Sequence, residues 1–174
     1  TNPLIYQKYQ DLIEEFGSPT SLWPQWTVVD KDEKTAQIVV IGSILVQRTS
    51  WKNAEKALKN LSNNDLLDLA KLSRIEIERL TELVRVAGFY TTKPKRLQAI
   101  ARFVVDNYGS AKAMEKVEIL TLREELLNVY GIGNETADTI LLFALNKPSF
   151  IIDAYTKRFL DKYELEYPSG YANI

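Results

Sequence analysis

Apolar residues recur every three or four positions along most of the chain, which is the spacing of one face of an α-helix. The first stripe begins at Leu4 and stops at Gly17, a residue type that commonly ends helices. Residues 35–46 include a run of strand-forming residues, but their surroundings are helical and predict a buried helix. The same periodicity predicts helices over 51–61, 65–71, 74–86, 95–107 and 111–117.

Turn and capping residues complete the prediction of an all-α fold. Pro19 and Pro24 indicate an ordered loop with little regular structure over 17–34. Ser73 and Thr121 are each followed three residues later by glutamate, the capping-box pattern of helix starts. Only 7 glycines and 6 prolines are present, too few for a turn-rich β protein. Many short helices on brief connections predict a bundle or orthogonal array.

Two helices joined by a glycine turn form the most informative pattern. A predicted helix over 122–130 is followed by Gly131, Ile132 and Gly133, and then by a second helix that ends near 146. The glycines allow a tight turn, the isoleucine anchors it, and unpaired N–H groups at the start of the second helix suit a phosphate. A helix connection that binds no ligand has the same pattern.

A carboxylate follows this hairpin in a position that allows two roles. Asp153 comes directly after buried apolar residues and directly before a predicted helix. Aspartate there commonly serves as an N-cap, and this role is compatible with a chemical one.

Composition limits the possible chemistry. The chain of 174 residues has no histidine and no cysteine, which excludes thiol catalysis, disulfides and most transition-metal sites within it. Its net charge of -1 argues against a general polyanion binder. No apolar run could cross a bilayer and no signal peptide begins the chain, so we expect a cytoplasmic protein. The start without Met and the abrupt end lead us to expect a trimmed chain.

One local segment is basic despite the balanced total. Residues 83–105 contain no acidic residue, and their basic residues are Arg85, Lys93, Lys95, Arg96 and Arg102. Such a segment can contact backbone phosphates, or it can be a solvated helix face.

Four ordered segments, 45–49, 88–95, 131–137 and 152–155, resemble the helix-hairpin-helix DNA glycosylases of the endonuclease III superfamily. The resemblance implies two helical lobes with a cleft between them. Residues 30–146 would form the central lobe, with the hairpin at about 122–146. Residues 1–29 and 147–174 would form part of the second lobe, which we expect to be incomplete at its C-terminus.

The resemblance also implies roles for individual residues. Asp153 would stabilise the sugar cation, while Gln47 and Phe89 would fill the gap and wedge the stack when a nucleotide is flipped out. Without the family resemblance, Gln47 could equally be a surface polar residue and Phe89 a core aromatic residue. The predicted contacts to the DNA backbone are Gly131, Gly133, Asn134, Thr136, Lys93, Lys95 and Arg96. The predicted base pocket consists of Trp23, Trp26, Trp51 and Glu135.

Departures from the family pattern narrow the expected reaction. Glu135 stands where bifunctional members have a lysine, so we expect a monofunctional enzyme without AP-lyase activity. Lys157 and Arg158 are poorly placed to replace the missing amine. Ser43 stands where the adenine-mismatch branch has a glutamate, which favours an alkylated base that needs no proton donor. The pattern is similar to the 3-methyladenine DNA glycosylase branch.

The resulting prediction is a monofunctional base-excision-repair glycosylase acting on an alkylated purine such as 3-methyladenine. The alternatives are a glycosylase for oxidised or deaminated bases, a non-catalytic DNA-binding module and a helical scaffold. The expected partner is double-stranded DNA with a damaged base, bound by a monomer associated with the nucleoid. We expect no cofactor in this chain, and an iron–sulfur cluster only in a missing C-terminal segment.

Overall fold

The computed structural model describes residues 3–22 and 24–165, and the regular elements in these ranges are all helical. The all-α prediction is therefore confirmed. The α-helices are α1 (Pro3–Phe16), α2 (Pro19–Leu22), α3 (Pro24–Thr27), α4 (Glu33–Leu45), α5 (Trp51–Asn63), α6 (Leu69–Leu72), α7 (Ile77–Val84), α8 (Lys93–Tyr108), α9 (Ile119–Leu127), α10 (Asn134–Thr139) and α11 (Ala154–Lys162). Short 3₁₀ turns occupy Arg85–Ala87 and Lys112–Lys116, and a π-helical turn occupies Ile140–Ala144. In the described ranges, none of these helices has the length and apolar character needed to cross a membrane.

The chain separates into two compact units, residues 1–30 and residues 31–174. The first unit contains α1, α2 and α3, and the second contains α4 to α11. The buried apolar residues of the described chain run from Ala36 to Leu160, all within the second unit. The predicted division into lobes at residues 30 and 146 stays a prediction.

Helix α4 lies in the centre of the second unit. Its buried residues cover most of the helix surface, and they are Ala36, Val39, Val40, Ile41, Gly42, Ser43, Ile44 and Leu45. The helix packs against α5, α8, α10 and the π-helical turn. Its start is fixed by Asp32, whose carboxylate accepts a 2.7 Å hydrogen bond from the Thr35 amide. A helix that is apolar all round belongs in a core, so the predicted buried helix is confirmed.

Both capping-box predictions were wrong. The Ser73 hydroxyl donates to the Ala70 carbonyl at 2.8 Å, which ends the preceding helix rather than beginning the next. Helix α9 begins before Thr121, because the Glu118 carboxylate accepts hydrogen bonds from the Leu120 and Thr121 amides at 2.8 and 3.0 Å.

Short elements account for the other differences from the predicted helices. The predicted loop over 17–34 contains α2 and α3, each of which has a proline at its first position. The helix predicted over 65–71 begins only at Leu69, since Asp68 caps the Lys71 amide at 2.9 Å. The segment predicted as a helix over 111–117 forms a 3₁₀ turn.

The predicted hairpin is formed by α9 and α10. Gly131 has φ +85°, Ile132 is buried and Gly133 is the extended N-cap residue before α10. An ion pair joins the two helices, with Arg123 Nε 2.9 Å from Asp138 Oδ1. After Thr139 the helix widens into the π-helical turn, so the second helix is less regular than its periodicity predicted.

Candidate active site

A cleft of about 830 Å³ opens beside the hairpin, within the second unit. Its walls are the turn after α4, the hairpin with its second helix, and the segment that enters α11. The predicted site residues that line it are Gln47, Arg96, Gly131, Gly133, Asn134, Glu135, Thr136 and Asp153. The fold therefore brings together residues that are separated by more than a hundred positions in the sequence.

Asp153 has both a capping position and access to this cleft. It is the N-cap of α11, and its Oδ1 accepts a 2.7 Å hydrogen bond from the Thr156 amide. The Thr156 hydroxyl in turn donates to the Ile151 carbonyl at 3.0 Å, which holds the entry to the helix. Within the described residues Oδ2 accepts no hydrogen bond, so one carboxylate oxygen is left for a ligand in the cleft.

Glu135 and Lys157 line the same cleft as Asp153. Partial desolvation at the cleft raises the pKa of Glu135, the negative charge of Asp153 raises it further, and Lys157 opposes both effects. Lys157 lies one helical turn after Asp153 and therefore points to the same side of α11. That Lys157 is poorly placed to replace the missing amine stays a prediction. Arg158 is not a lining residue, and its guanidinium lies 4.6 Å from the Tyr155 ring centre.

Gln47 is tied to the hairpin by its side-chain amide. Nε2 donates to the Gly131 carbonyl at 3.1 Å and to the Thr136 hydroxyl at 3.0 Å. Oε1 accepts a 2.6 Å hydrogen bond from Arg96 Nη1. Gln47 is therefore a half-buried connection between α8, α10 and the turn after α4, and the alternative of a plain surface residue was wrong.

Phe89 projects from a tight turn. Gly88 and Phe89 both have positive φ, +75° and +48°, and the Phe89 side chain is 49% exposed. The alternative of a core aromatic was therefore wrong. Phe89 is not among the residues that line the cleft, and its role as a wedge stays a prediction.

Lys93 lies in the interior of the protein, in contrast to its predicted contact with the DNA backbone. Its side chain is fully buried, and Nζ donates hydrogen bonds of 2.7 Å to the carbonyls of both Leu45 and Ala87. Burial, and to a smaller extent the nearby positive charge of Arg96, lower the pKa of Lys93 to about 8. A buried ammonium with two carbonyl partners cannot reach a phosphate, so the assignment of Lys93 to the DNA backbone was wrong.

The other basic residues of this segment differ in their surroundings. Lys95 is exposed on α8, whereas Arg96 is half-buried at the cleft. Arg102 Nε donates to the Ser73 carbonyl at 3.1 Å, and Arg85 lies 5.2 Å from the Tyr90 ring centre. The basic segment is therefore not one uniform surface.

Of the residues predicted to form the base pocket, Glu135 lines the cleft. Trp23 lies outside the described residues, and Trp26 is half-buried in the first unit. Trp51 begins α5 and is not a lining residue. Ser43 is buried, with its hydroxyl donating to the Val40 carbonyl at 2.7 Å, and it does not line the cleft either.

The lining residues that were not predicted as site residues include Thr139, Phe143, Ile151 and Tyr155. Tyr155 follows Asp153 by two positions and is 75% exposed, a position that the Ile-Asp-Ala-Tyr segment could have indicated. Phe143 lies in the π-helical turn, which changes the face on which side chains emerge. No sequence pattern indicated that change.

Metal and cluster ligands are limited by residue type. In the part of the chain that the structure describes, no three His, Cys, Asp or Glu residues are grouped so as to hold a metal ion. The sequence contains no cysteine, so these residues do not fit a thiolate-bound iron–sulfur cluster. The prediction of a cluster in a further C-terminal segment stays a prediction.

The chain is similar to known repair proteins over most of its length. Residues 41–169 match the family described as HhH-GPD superfamily base excision DNA repair protein. A Methanocaldococcus jannaschii protein named "Putative DNA repair glycosylase" is 44% identical over 161 residues, which cover 91% of this chain and 69% of that protein. Endonuclease III of Thermotoga maritima is 31% identical over 71% of this chain, which spans 54% of that enzyme.

Solved structures show the same fold. An H. pylori 3-methyladenine DNA glycosylase bound to 1,N6-ethenoadenine has a TM-score of 0.74 and 32% identity, covering 97% of this chain and 74% of that one. A non-covalent endonuclease III–DNA complex has a TM-score of 0.61 and 20% identity, covering 88% of this chain and 66% of that one, and supports the fold alone. The match over residues 41–169 and the hairpin, cleft and capping aspartate agree: the chain belongs to the HhH-GPD superfamily of base excision DNA repair proteins, the helix-hairpin-helix glycosylases of the endonuclease III superfamily.

Proposed function

We propose that this chain carries a monofunctional DNA glycosylase site that hydrolyses the N-glycosidic bond of an alkylated purine flipped out of duplex DNA. The observation that carries the proposal is the placement of Asp153 and Glu135 on one cleft, with Asp153 Oδ2 left for a ligand. The similarity to an H. pylori enzyme named as a 3-methyladenine DNA glycosylase supports this substrate class.

Asp153 would act on the sugar. When the bond from C1′ to the base nitrogen breaks, its electron pair leaves with the base and positive charge develops on the deoxyribose. A carboxylate fixed beside the sugar lowers the energy of that state, and α11 already holds Asp153 in place. A water oxygen then bonds to C1′ and passes a proton to the Asp153 carboxylate, which gives an abasic site and a free base.

Glu135 would act on the base. A ring-alkylated purine carries positive charge and leaves without a proton donor, in contrast to neutral adenine. An ionised Glu135 on the cleft wall would attract such a base. The buried Ser43 hydroxyl is directed to its own helix, so it supplies no proton there.

DNA handling is proposed for the surrounding residues. Gln47 and Phe89 would occupy the gap left by the flipped nucleotide, which recovers part of the lost stacking energy. The hairpin residues Gly131, Gly133, Asn134 and Thr136, together with Lys95 and Arg96, would contact the backbone of double-stranded DNA. We propose that the monomer is sufficient, because these groups belong to one chain. Association with the nucleoid would follow from this binding.

The decisive experiment uses the full chain and DNA treated with a methylating agent, with chromatography of the released bases. We expect release of 3-methyladenine by the wild type, and release by Asp153→Asn that is lower by about a hundredfold or more at equal occupancy of the duplex. Equal release by both proteins would contradict the role of Asp153. Duplexes with defined oxidised or deaminated bases distinguish the alternative substrates, and release from none of them would indicate a DNA-binding module.

Lys157 supports a second candidate function, a glycosylase with AP-lyase activity. Glu135 cannot form a Schiff base with the sugar, but the Lys157 amine belongs to the same cleft. The T. maritima relative is named as an endonuclease. Borohydride trapping on an abasic duplex decides between the two, since a covalent adduct that is lost in Lys157→Gln would establish the lyase.

A further inference from the structure

The buried ammonium of Lys93 contacts the chain just before two turns. One is the turn after α4, which carries Gln47, and the other is the turn after Arg85–Ala87, which carries Phe89. Lys93 Nζ donates to the Leu45 carbonyl at the end of α4 and to the Ala87 carbonyl in the 3₁₀ turn, each at 2.7 Å. Leu45 stands two residues before Gln47, and Ala87 stands two residues before Phe89. The two acceptors therefore have the same place relative to the two side chains proposed to enter DNA.

Both turns leave their helices in constrained conformations. Arg48 follows Gln47 with φ +52°, while Gly88 and Phe89 have φ +75° and +48°. Carbonyls at helix ends lack partners within the helix, and in a water-free interior they need another donor. Lys93 supplies that donor to both turns at once.

Lys93 also holds the Phe89 turn through its backbone. The Lys93 amide donates to the Phe89 carbonyl at 2.9 Å, and Nζ lies 5.8 Å from the centre of the Phe89 ring. On the other side, Gln47 is held by Arg96 and by the Gly131 carbonyl. The two turns are thus each fixed locally, and the Lys93 ammonium fixes them relative to one another.

We propose that Lys93 is a positioning residue that sets the spacing between the Gln47 turn and the Phe89 turn, so that both side chains meet one opened base step. This inference rests on the proposed function. Its physical basis is that side chains acting together on DNA need a fixed geometry, and a displacement of about 1 Å can cost about a hundredfold in rate. An apolar side chain could fill the same volume, but it would leave two buried carbonyls without a donor.

The test is a double-mutant cycle of Lys93→Met and Phe89→Ala in the full chain. The readouts are base release and the fluorescence of 2-aminopurine beside a tetrahydrofuran abasic analogue, which reports opening of the stack. We expect Lys93→Met to lower the opening signal and kcat by roughly 10- to 100-fold in the wild-type background. In the Phe89→Ala background the same substitution should cost less than about threefold, because the wedge is already absent.

Controls separate positioning from charge and from folding. Lys59→Met removes an exposed lysine on α5 and should leave opening and kcat unchanged. Affinity for undamaged duplex should stay within about twofold in Lys93→Met, since the ammonium contacts no phosphate. If Lys93→Met does not fold, the cycle uses Lys93→Gln, which keeps a neutral N–H donor.

Each outcome has a definite meaning. Equal losses in the two Phe89 backgrounds would overturn the positioning role, as would an unchanged opening signal in Lys93→Met. If neither Lys93→Met nor Lys93→Gln folds, Lys93 is required for stability, and the separate positioning role is rejected. A wild type that never opens the abasic duplex would contradict the proposed function itself, and the inference with it.

Discussion

The side chain of Arg96 lies directly against the α-carbon of Gly131. A β-carbon at residue 131 would come within 2.3 Å of Arg96 Cγ, and Gly131 has φ +85°. We therefore expect Gly131→Ala to lower the free energy of unfolding by about 2 to 4 kcal/mol, from backbone strain and overpacking. Arg96 must swing away, which breaks its hydrogen bond to Gln47. Urea unfolding measures the loss.

The matched control for this prediction is Gly133→Ala. Gly133 has φ −103°, and a β-carbon there meets no atom within 4 Å. We expect its free energy of unfolding to stay the same or to rise by up to about 1 kcal/mol. Adding Arg96→Ala to Gly131→Ala should recover the steric part of the loss but not the backbone part. Equal losses at the two glycines would contradict the close contact.

The cap and the charge of Asp153 can be separated by substitution. Asparagine caps helices about as well as aspartate, so Asp153→Asn should change the free energy of unfolding by less than about 0.5 kcal/mol. Asp153→Ala removes the hydrogen bond to the Thr156 amide and should cost about 1 kcal/mol. Both variants should lose base release by about a hundredfold or more. Base release that follows stability, rather than charge, would contradict the proposed role.

Glu135 should make the stability of the protein depend on pH. Its folded pKa is raised above 4.5, chiefly by desolvation and then by Asp153, so the free energy of unfolding falls as the pH rises from 4.5 through the folded pKa. Below pH 4.5 the group is protonated in both states and this loss of stability disappears. We expect Glu135→Gln to have a higher Tm than the wild type at pH 7, and the difference to fade towards pH 4.

Glu124→Gln is the matched control, because Glu124 is exposed on α9 and does not line the cleft. Like Glu135→Gln, this substitution removes one negative charge, but at a position outside the cleft that contains Asp153. A Tm difference of the same size and pH dependence in both variants would show that the cleft has no particular effect on Glu135.

The buried ammonium of Lys93 should act on stability at alkaline pH. The pKa of Lys93 is about 8 in the folded protein, and 10.5 is the ordinary value that we take for the unfolded chain. Between these two pH values the unfolded chain therefore binds up to one more proton than the folded protein. The stability contributed by this site therefore rises with pH in this window, by at most about 1.4 kcal/mol per pH unit. Urea unfolding at pH 7.5 and 9.5 should show the wild type gaining stability relative to Lys93→Met. A constant difference would contradict the shifted pKa.

The salt dependence of DNA binding should distinguish Lys95 from Lys93. If Lys95 contacts a phosphate, Lys95→Ala should reduce the slope of log K against log salt by about 0.9. Lys93→Met should leave that slope unchanged, because Nζ is directed to the Leu45 and Ala87 carbonyls. Fluorescence anisotropy with a labelled duplex over a range of salt concentrations provides both values. A reduced slope for Lys93→Met would contradict its burial.

Local patterns were sufficient for much of the fold. The periodicity around α1, α4 and α5 predicted their positions closely, since long apolar stripes have few alternatives to a helix. Asp153 was identified as a cap because the residues that follow it need an acceptor. The two capping-box predictions also failed for local reasons. The Ser73 hydroxyl donates to the Ala70 carbonyl of the preceding turn, and Glu118 rather than Thr121 caps α9.

Within the site, the sequence determined which residue types were available and which chemistry they exclude. It supplied one capping aspartate, a glutamate in the hairpin and no histidine or cysteine. Only the tertiary structure decided that Gln47 binds the hairpin, that Lys157 shares the cleft with Asp153 and that Lys93 is withdrawn from any phosphate. The physical reason is that burial and side-chain direction depend on packing between distant segments, whereas helix periods and caps depend on neighbours in the chain.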